Sequence, residues 1–321
     1  MTDTLGAPEK QLPEDEGDGA AAERRPMTCH APIKHVVVLV NPMSGGVGAN
    51  AAAEARDLMA GFACESEVVL LEGDDITQTI DKVLSCGADL VVVLAGDGTA
   101  RAVASRAGPD GPLVAPLPGG TMNMLPKALY GTTDWKKALN AILEDGEPQY
   151  VSGGEVDGNA FYCAAILGAP ALWAPAREAL RGGKLKLALT HARRAWRRAF
   201  SGRIRFDLDG GPRQRAEALV LISPMISRAL EEPVGLEAAA MNPHDASDAF
   251  RLAAHALFDD WRHDPAVKTR PARRIRVWAR SRVPAVLDGE PILLPADSTV
   301  KFLPKAFRAL APRPPAAEDT V

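Results

Sequence analysis

The chain has 321 residues, of which 46% are hydrophobic, and its formal net charge is −4. This length suits two globular domains. The acidic balance and the 5% aromatic content exclude a chain-wide basic or base-stacking surface, so nucleic acid is not an expected partner. The four cysteines lie far apart without Cys-x-x-Cys pairs, which argues against a zinc site and indicates a reducing compartment.

Both ends of the chain have compositions that disfavour a folded core. Residues 1–33 hold four prolines and an acidic run, and residues 311–321 are rich in proline, alanine and acids. We therefore predict tails at 1–33 and 311–321. No secretory signal is recognised, and the longest low-charge run, Phe161–Pro175, is too short to span a bilayer. The expected location is the cytoplasm.

Residues 34–147 alternate between strand and helix signals. Strands are predicted at His35–Val40, Glu67–Leu71, Asp89–Leu94 and Leu113–Leu117, and helices at Ala49–Phe62, Ile76–Leu84, Ala100–Ala107, Met122–Tyr130 and Trp135–Leu143. This order indicates a parallel sheet covered by helices. The continuous apolar run Val91–Leu94 is typical of a strand buried on both faces.

Residues 148–310 do not alternate regularly between strand and helix signals. Strand-like segments occur at Arg203–Asp209, Ala216–Ile222, Arg274–Ala279 and Val300–Leu303, and helical patterns at Lys184–Phe200 and Ala246–Trp261. The predicted fold class is therefore an α/β N-terminal domain with a parallel sheet, residues 34–147, plus a β-rich antiparallel second domain, residues 148–310. The sequence also allows the last strands of the second domain to pack with the first domain.

Three polar loops each follow a predicted strand and precede a helix. They are Asn41–Gly48, Gly96–Thr99 and Gly119–Asn123. Because the carboxyl ends of parallel strands share one sheet edge, these loops should lie together, with Asp97 at that edge and Thr99 as the cap of the next helix. Glycine N–H groups, helix N-termini and the hydroxyls of Ser44, Thr99 and Thr121 suit phosphate groups. A single glycine loop would be an ordinary turn, whereas three together favour a phosphate site.

A second interpretation starts from the first loop alone. No Walker A signature is present, but Gly46–Ala51 fits the dinucleotide pattern G-x-G-x-x-A, and Glu72 follows the second strand where a ribose-binding acid would lie. A nicotinamide-dependent dehydrogenase is therefore the alternative. It leaves the other two loops unexplained.

Four motifs together carry a family resemblance. They are Asn41-Pro42-x-Ser44-Gly45-Gly46, Gly96-Asp97-Gly98-Thr99, Pro118-Gly119-Gly120-Thr121-x-Asn123 and Asp288-Gly289-Glu290. In order and spacing the chain resembles the diacylglycerol kinase catalytic family, which includes bacterial lipid kinases and the sphingosine and ceramide kinases, and it is more distantly similar to NAD kinases. The resemblance covers most of residues 34–305. It implies an ATP-binding α/β domain, a β-rich lipid domain, and transfer of the γ-phosphate of ATP to a lipid hydroxyl.

The resemblance also implies roles for individual residues. Asp97 would lie near the phosphates and Mg²⁺, and Glu290 would take the proton from the attacking hydroxyl. The residues implied for nucleotide binding are Asn41, Ser44, Gly45, Gly46, Gly96, Asp97, Gly98, Thr99, Gly119, Gly120, Thr121 and Asn123. From the local sequence alone, Asp288-Gly289 is predicted to form the turn of a β-hairpin between Val286-Leu287 and Ile292-Leu293. This prediction is compatible with a catalytic Glu290.

The chain departs from the family pattern around Asp97. Ala95 replaces the first motif glycine, and Arg101-Ala102 replaces the usual Asn-Glu. The second-domain metal loop of the family has no counterpart. These departures leave open a nucleotide- or lipid-binding protein without catalysis, or a divergent kinase with altered substrate choice.

A local basic segment spans Arg177–Arg205, with ten Arg or Lys residues and one acid. With its interspersed leucines and Trp196, it suits an anionic bilayer surface, although a solvated helix face explains it equally well. The expected protein is a cytoplasmic lipid kinase, peripheral at the inner face of a membrane, that uses ATP and Mg²⁺ on diacylglycerol, ceramide or a sphingoid base. The oligomeric state does not follow from the sequence.

Overall fold

The computed structural model describes residues 32–73, 75–168, 204–227, 234–241 and 267–312. The helices predicted at Lys184–Phe200 and Ala246–Trp261 lie outside these residues, as does the basic segment Arg177–Arg205 apart from its last two positions.

The described residues form five helices and sixteen strands. The helices are α1 Ala51–Met59, α2 Ile76–Leu84, α3 Asp97–Ala107, α4 Met124–Tyr130 and α5 Trp135–Asp145. The first eight strands are β1 His35–Val40, β2 Glu65–Leu70, β3 Leu90–Ala95, β4 Leu113–Pro118, β5 Gly146–Val156, β6 Asn159–Phe161, β7 Ala164–Gly168 and β8 Ile204–Leu208. The others are β9 Gln214–Ala216, β10 Ala218–Ile222, β11 Leu236–Met241, β12 Val267–Ala272, β13 Arg274–Trp278, β14 Val283–Leu287, β15 Glu290–Leu294 and β16 Asp297–Pro312.

The first sheet begins as the predicted parallel layer, in the order β2–β1–β3–β4. Its strands alternate between two cores: Val36 and Val38 pack with α1 and α5, whereas Val37 and Leu39 pack with α2, α3 and α4. All six residues of β3 are buried, as a strand covered on both faces requires. The first half is therefore a three-layer α/β arrangement.

The long strand β16 extends this sheet. It runs parallel to β4, pairing Ala309 with Val114, and antiparallel to β5 and β13. Beyond it the order continues β13–β8–β9, so one sheet passes from parallel to antiparallel pairing. The pairing reaches Pro312, opposite Gly146, so the tail predicted from residue 311 begins too early, because the last two paired residues complete the sheet.

A second sheet is wholly antiparallel in the described residues, in the order β12–β11–β10–β7–β14–β15. Its inner side chains, including Leu167, Leu219 and Leu221, share a core with Phe206 and Val277 of the first sheet. The predicted fold class, an α/β half with a parallel sheet and a β-rich antiparallel half, is confirmed.

Candidate active site

The three loops predicted to share one sheet edge do lie together there. They follow β1, β3 and β4, which are neighbouring parallel strands. The Gly96 N–H donates to Ser44 Oγ at 3.0 Å, joining the first and second loops. The Gly46 N–H donates to the Gly119 carbonyl at 3.0 Å, joining the first and third. We call these three segments, Asn41–Gly48, Gly96–Thr99 and Gly119–Asn123, the loop cluster.

Close backbone approach explains two of the cluster's glycines. A Cβ atom added to Gly119 would lie 2.7 Å from the backbone nitrogen of Ala95, and one added to Gly120 would lie 2.9 Å from the Cα of Gly96. Both distances are shorter than real Cβ contacts, and the opposing atoms are backbone. Only glycine at these two positions lets the second and third loops pack this closely.

Asp97 joins the second loop to the start of α4. Its Oδ2 accepts the N–H of Asn123 at 2.9 Å and its Oδ1 accepts the N–H of Met124 at 3.0 Å. Asn123 has left-handed backbone angles, which Asn tolerates, and its side-chain amide makes two hydrogen bonds with the backbone of Gly120. Asp97 therefore satisfies backbone donors at the amino end of a neighbouring helix.

The cap predicted for α3 is wrong. The helix begins at Asp97, three residues earlier than a Thr99 cap requires, and Gly96 is its N-cap residue. Thr99 lies half-buried inside the first turn. Gly96 has an extended backbone, so it ends the loop, and Asp97 is the first helical residue while its side chain accepts the N–H of Asn123.

The remaining predicted residues surround these contacts. Asn41 donates its backbone N–H to the Leu94 carbonyl and accepts the N–H of Met43 at its side chain. Gly45 lies beside the Thr121 hydroxyl, because a Cβ atom at Gly45 would be 3.8 Å from that oxygen. Several glycine N–H groups are thus used to hold the loops together, and the amino end of α3 is the part of the cluster best suited to an anion.

Glu290 reaches the loop cluster from the other end of the sequence. The hairpin predicted around Asp288-Gly289 is confirmed: β14 and β15 pair, and Asp288 and Gly289 both have positive φ angles, as a type I′ turn requires. Glu290 follows this turn directly. Its Oε1 lies 3.5 Å from the position that a Cβ atom on Gly98 would occupy, so the carboxylate lies over the first turn of α3.

Asp288 has a contact role that its local sequence does not reveal. The side chain is buried, and its carboxylate accepts the backbone N–H groups of Tyr162, Cys163 and Ala164 at 2.7–2.9 Å. Burial raises the pKa of the Asp288 carboxyl, and the three N–H donors act in the opposite direction. Asp288 therefore fixes the turn that precedes Glu290 against the chain segment before β7.

The departure at Ala95 is accommodated by packing. Ala95 is the last residue of β3, and it belongs to the core that includes Ala100 and Val103 of α3. Its methyl group is therefore part of the interface between strand and helix.

Residues 35–155 match the family model described as the diacylglycerol kinase catalytic domain. This part of the chain is therefore similar to the diacylglycerol kinase catalytic domain. The resemblance inferred from the motifs is confirmed, and the family is one of lipid kinases. The match ends before Glu290, so only the geometry described above relates Glu290 to the Gly96–Thr99 motif.

Three solved structures of diacylglycerol kinases or putative diacylglycerol kinases are similar to this chain in architecture. A putative diacylglycerol kinase from Bacillus anthracis str. Sterne is 18% identical, with a TM-score of 0.68, over 87% of this chain and 98% of that one. A second putative diacylglycerol kinase from the same organism is 17% identical, with a TM-score of 0.67 and the same coverage. A third structure, of a diacylglycerol kinase from Bacillus anthracis str. Sterne, is 14% identical, with a TM-score of 0.63, over 87% of this chain and 97% of that one. At these identities the likeness shows the fold. A search of curated proteins gave no match.

The raised pKa of Asp97 leads to a prediction about how stability depends on pH. Burial raises the pKa of its carboxyl, against the opposing effect of the two N–H donors. A carboxyl with a raised folded-state pKa stabilises the protein fully below its unfolded pKa, and that contribution is lost as the pH rises through the folded pKa. Wild type should therefore gain stability relative to Asp97→Asn as the pH falls from about 7 to about 4.

Urea unfolding of both proteins across this range measures the difference. Other carboxyls titrate alike in both proteins and cancel. A difference that is flat, or that shrinks towards acid, would contradict the raised pKa.

Proposed function

We propose that the chain is an ATP-dependent lipid kinase that transfers the γ-phosphate to a primary hydroxyl of a membrane lipid such as diacylglycerol, ceramide or a sphingoid base. The observation that carries the proposal is the position of Glu290. A carboxylate from the β-rich half lies over the first turn of α3, beside the Gly96–Thr99 motif of the kinase domain. A proton acceptor and a phosphate-binding helix end are thus brought together.

In the proposed reaction the lipid hydroxyl oxygen forms a bond to the γ-phosphorus while the bond from that phosphorus to the bridging oxygen of ADP breaks. Glu290 accepts the hydroxyl proton. The amino end of α3 carries a partial positive charge of about +0.5, which holds phosphate oxygens, and the loop cluster fixes that helix end. Asp97 contributes by holding the third loop and α4 in place.

The residues of the cluster fit Mg²⁺ that arrives with ATP. A carboxylate has about four lone-pair sites, and those of Asp97 that the N–H groups of Asn123 and Met124 leave unused are able to bind a cation. Within the described residues no group of three or more His, Cys, Asp or Glu side chains forms a metal cage. Magnesium in phosphoryl-transfer sites commonly uses one or two carboxylates plus the substrate phosphates. When bound, the cation would neutralise charge on the phosphates.

The lipid is proposed to approach from the second sheet, whose hairpin carries Glu290. We propose a peripheral location at the cytoplasmic face of a membrane, with the basic segment Arg177–Arg205 as the contact to anionic lipid. The helices that the structure describes are too short or too polar to cross a bilayer.

The proposed function predicts that labelled ATP, with Mg²⁺, transfers its γ-phosphate to at least one member of an extracted lipid panel. Thin-layer separation of the products measures this. Lipid or nucleotide binding without any labelled product would favour the binding protein without catalysis. Nicotinamide cofactor binding that depends on Gly46 and Gly48 would favour the dehydrogenase. Either result, with no labelled lipid, would defeat the kinase proposal.

A further inference from the structure

Helix α3 contacts the Glu290 hairpin at two positions, one helical turn apart. The first is Gly98, which lies under the Glu290 carboxylate. The second is Arg101, whose Nη1 donates to the Leu287 carbonyl at 3.2 Å. Residues three apart lie on the same helix face, so one face of α3 meets the hairpin twice.

The carbonyl that Arg101 holds is directly connected to Glu290. Leu287 is the last residue of β14, and it pairs with Glu290 across the two-residue turn. A shift of the Leu287 peptide relative to α3 would therefore move the Glu290 backbone by a similar amount. The hydrogen bond from Arg101 joins this closing pair of the hairpin to the helix that begins with Asp97.

The charge of Asp288 also favours a cation at this place. The buried Asp288 carboxylate lies in the same turn, and the positive charge of Arg101 acts on it favourably. An asparagine, the usual family residue at this position, has no charge to offer Asp288.

The two anchors of the hairpin have separate roles. Asp288 ties the turn to its own sheet, through the N–H groups of Tyr162, Cys163 and Ala164 and through its own N–H, which donates to the Ala164 carbonyl. Arg101 ties the same turn to α3. Removal of the guanidinium leaves the first anchor intact, so the hairpin should still form while its distance from α3 is released.

We propose that Arg101 is a positioning residue that holds Glu290 at a fixed distance from the amino end of α3 by fixing the Leu287 carbonyl. This inference rests on the proposed kinase function, because it assigns Glu290 the task of accepting the proton. Arg101, which departs from the family pattern, then contributes to the site by positioning Glu290.

The test compares Arg101→Gln with a matched control on the same helix, Arg106→Gln. Arg106 forms an exposed ion pair with Asp81. Loss of a charged hydrogen bond that positions a reacting group should lower kcat of Arg101→Gln by about ten- to a hundredfold, with KM for ATP within about threefold of wild type. Arg106→Gln should keep the wild-type kcat. Arg101→Lys, which restores a charge and one donor, should recover part of the loss.

Amide hydrogen exchange of residues 283–294, measured by mass spectrometry, supplies a readout that needs no activity. Arg101→Gln should exchange faster than wild type in this hairpin, and Arg106→Gln should not. A normal kcat in Arg101→Gln, an equal loss in Arg106→Gln, or a lost kcat with unchanged hairpin exchange would overturn the proposal. If wild type phosphorylates no lipid, the proposed function fails, while the exchange comparison still decides whether Arg101 holds the hairpin.

Discussion

Replacement of Glu290 with glutamine is expected to lower kcat by about a hundredfold to ten-thousandfold, because in the proposed reaction Glu290 accepts the proton of the lipid hydroxyl. Binding of ATP should change little, since the predicted nucleotide contacts belong to the loop cluster. The glutamine keeps the shape of the side chain, and Glu290 is an exposed residue, so the fold should be retained. Steady-state kinetics, with a thermal unfolding curve for each protein, measure both effects.

A matched control for this change is Glu72→Gln. Glu72 is an exposed carboxylate that follows β2, close to the same sheet edge, and it is the acid that the dehydrogenase interpretation needs for a ribose. The kinase proposal expects full activity in this variant. Full activity in Glu290→Gln would remove Glu290 from the mechanism, and loss of nucleotide binding in Glu72→Gln would revive the dehydrogenase.

Replacement of Gly119 with alanine should damage nucleotide binding and stability together. The added Cβ would lie 2.7 Å from the Ala95 nitrogen, 2.8 Å from the Ala95 oxygen and 2.8 Å from Val47 Cγ2. Two of these atoms are backbone at the end of β3, so the loops must separate. Overpacking of this kind costs about 1–3 kcal/mol of unfolding free energy. Because the loops would no longer fix the end of α3, we expect nucleotide affinity to fall by at least about tenfold.

Gly48→Ala is the control for this variant. Gly48 lies in the first loop of the same cluster, and a Cβ atom there would meet no atom within 4 Å. Its unfolding free energy should stay within about 0.5 kcal/mol of wild type. Urea unfolding and a titration with ATP check both variants. Equal effects in Gly48→Ala and Gly119→Ala would contradict the explanation that Gly119 is required for close contact between the loops.

Much of the first half could be predicted because its signals are local. The continuous apolar run of β3 and the glycine loops after β1, β3 and β4 define a parallel sheet and its ligand edge without distant contacts. α2 begins and ends where its apolar spacing predicts. The start of α3 was missed because Asp97 is used by the backbone of another helix, which is a tertiary contact.

The second half was harder, because several strands lack a strand-like composition. β11 is rich in alanine, which usually favours helix, and it is a strand because it pairs with β10 and β12. Only Val300–Leu303 of β16 was predicted, whereas the strand extends from Asp297 to Pro312. In the structure the strand continues past the predicted segment with a register shift between Leu303 and Phe307.

The site shows the same division. The motifs and their positions after parallel strands predicted that the three loops lie together. The approach of Glu290 to Gly98 was not predictable in this way, because it depends on how the two halves pack. The hairpin turn fully explained Asp288 at the sequence level, so nothing pointed to its three backbone donors. Arg101 was recognised only as a departure, because its partner, the Leu287 carbonyl, lies far along the chain.

The pairing of β16 with β4 has a consequence for synthesis on the ribosome. Chain growth delivers β1 to β4 early, but the neighbour that covers β4 emerges about two hundred residues later, when Ala309 reaches Val114. Until then β4 presents an open strand edge, which is a template for wrong pairing. The parallel sheet of the first half is thus covered at this edge only when β16 has been made, and premature termination anywhere before β16 would release a chain with that edge uncovered.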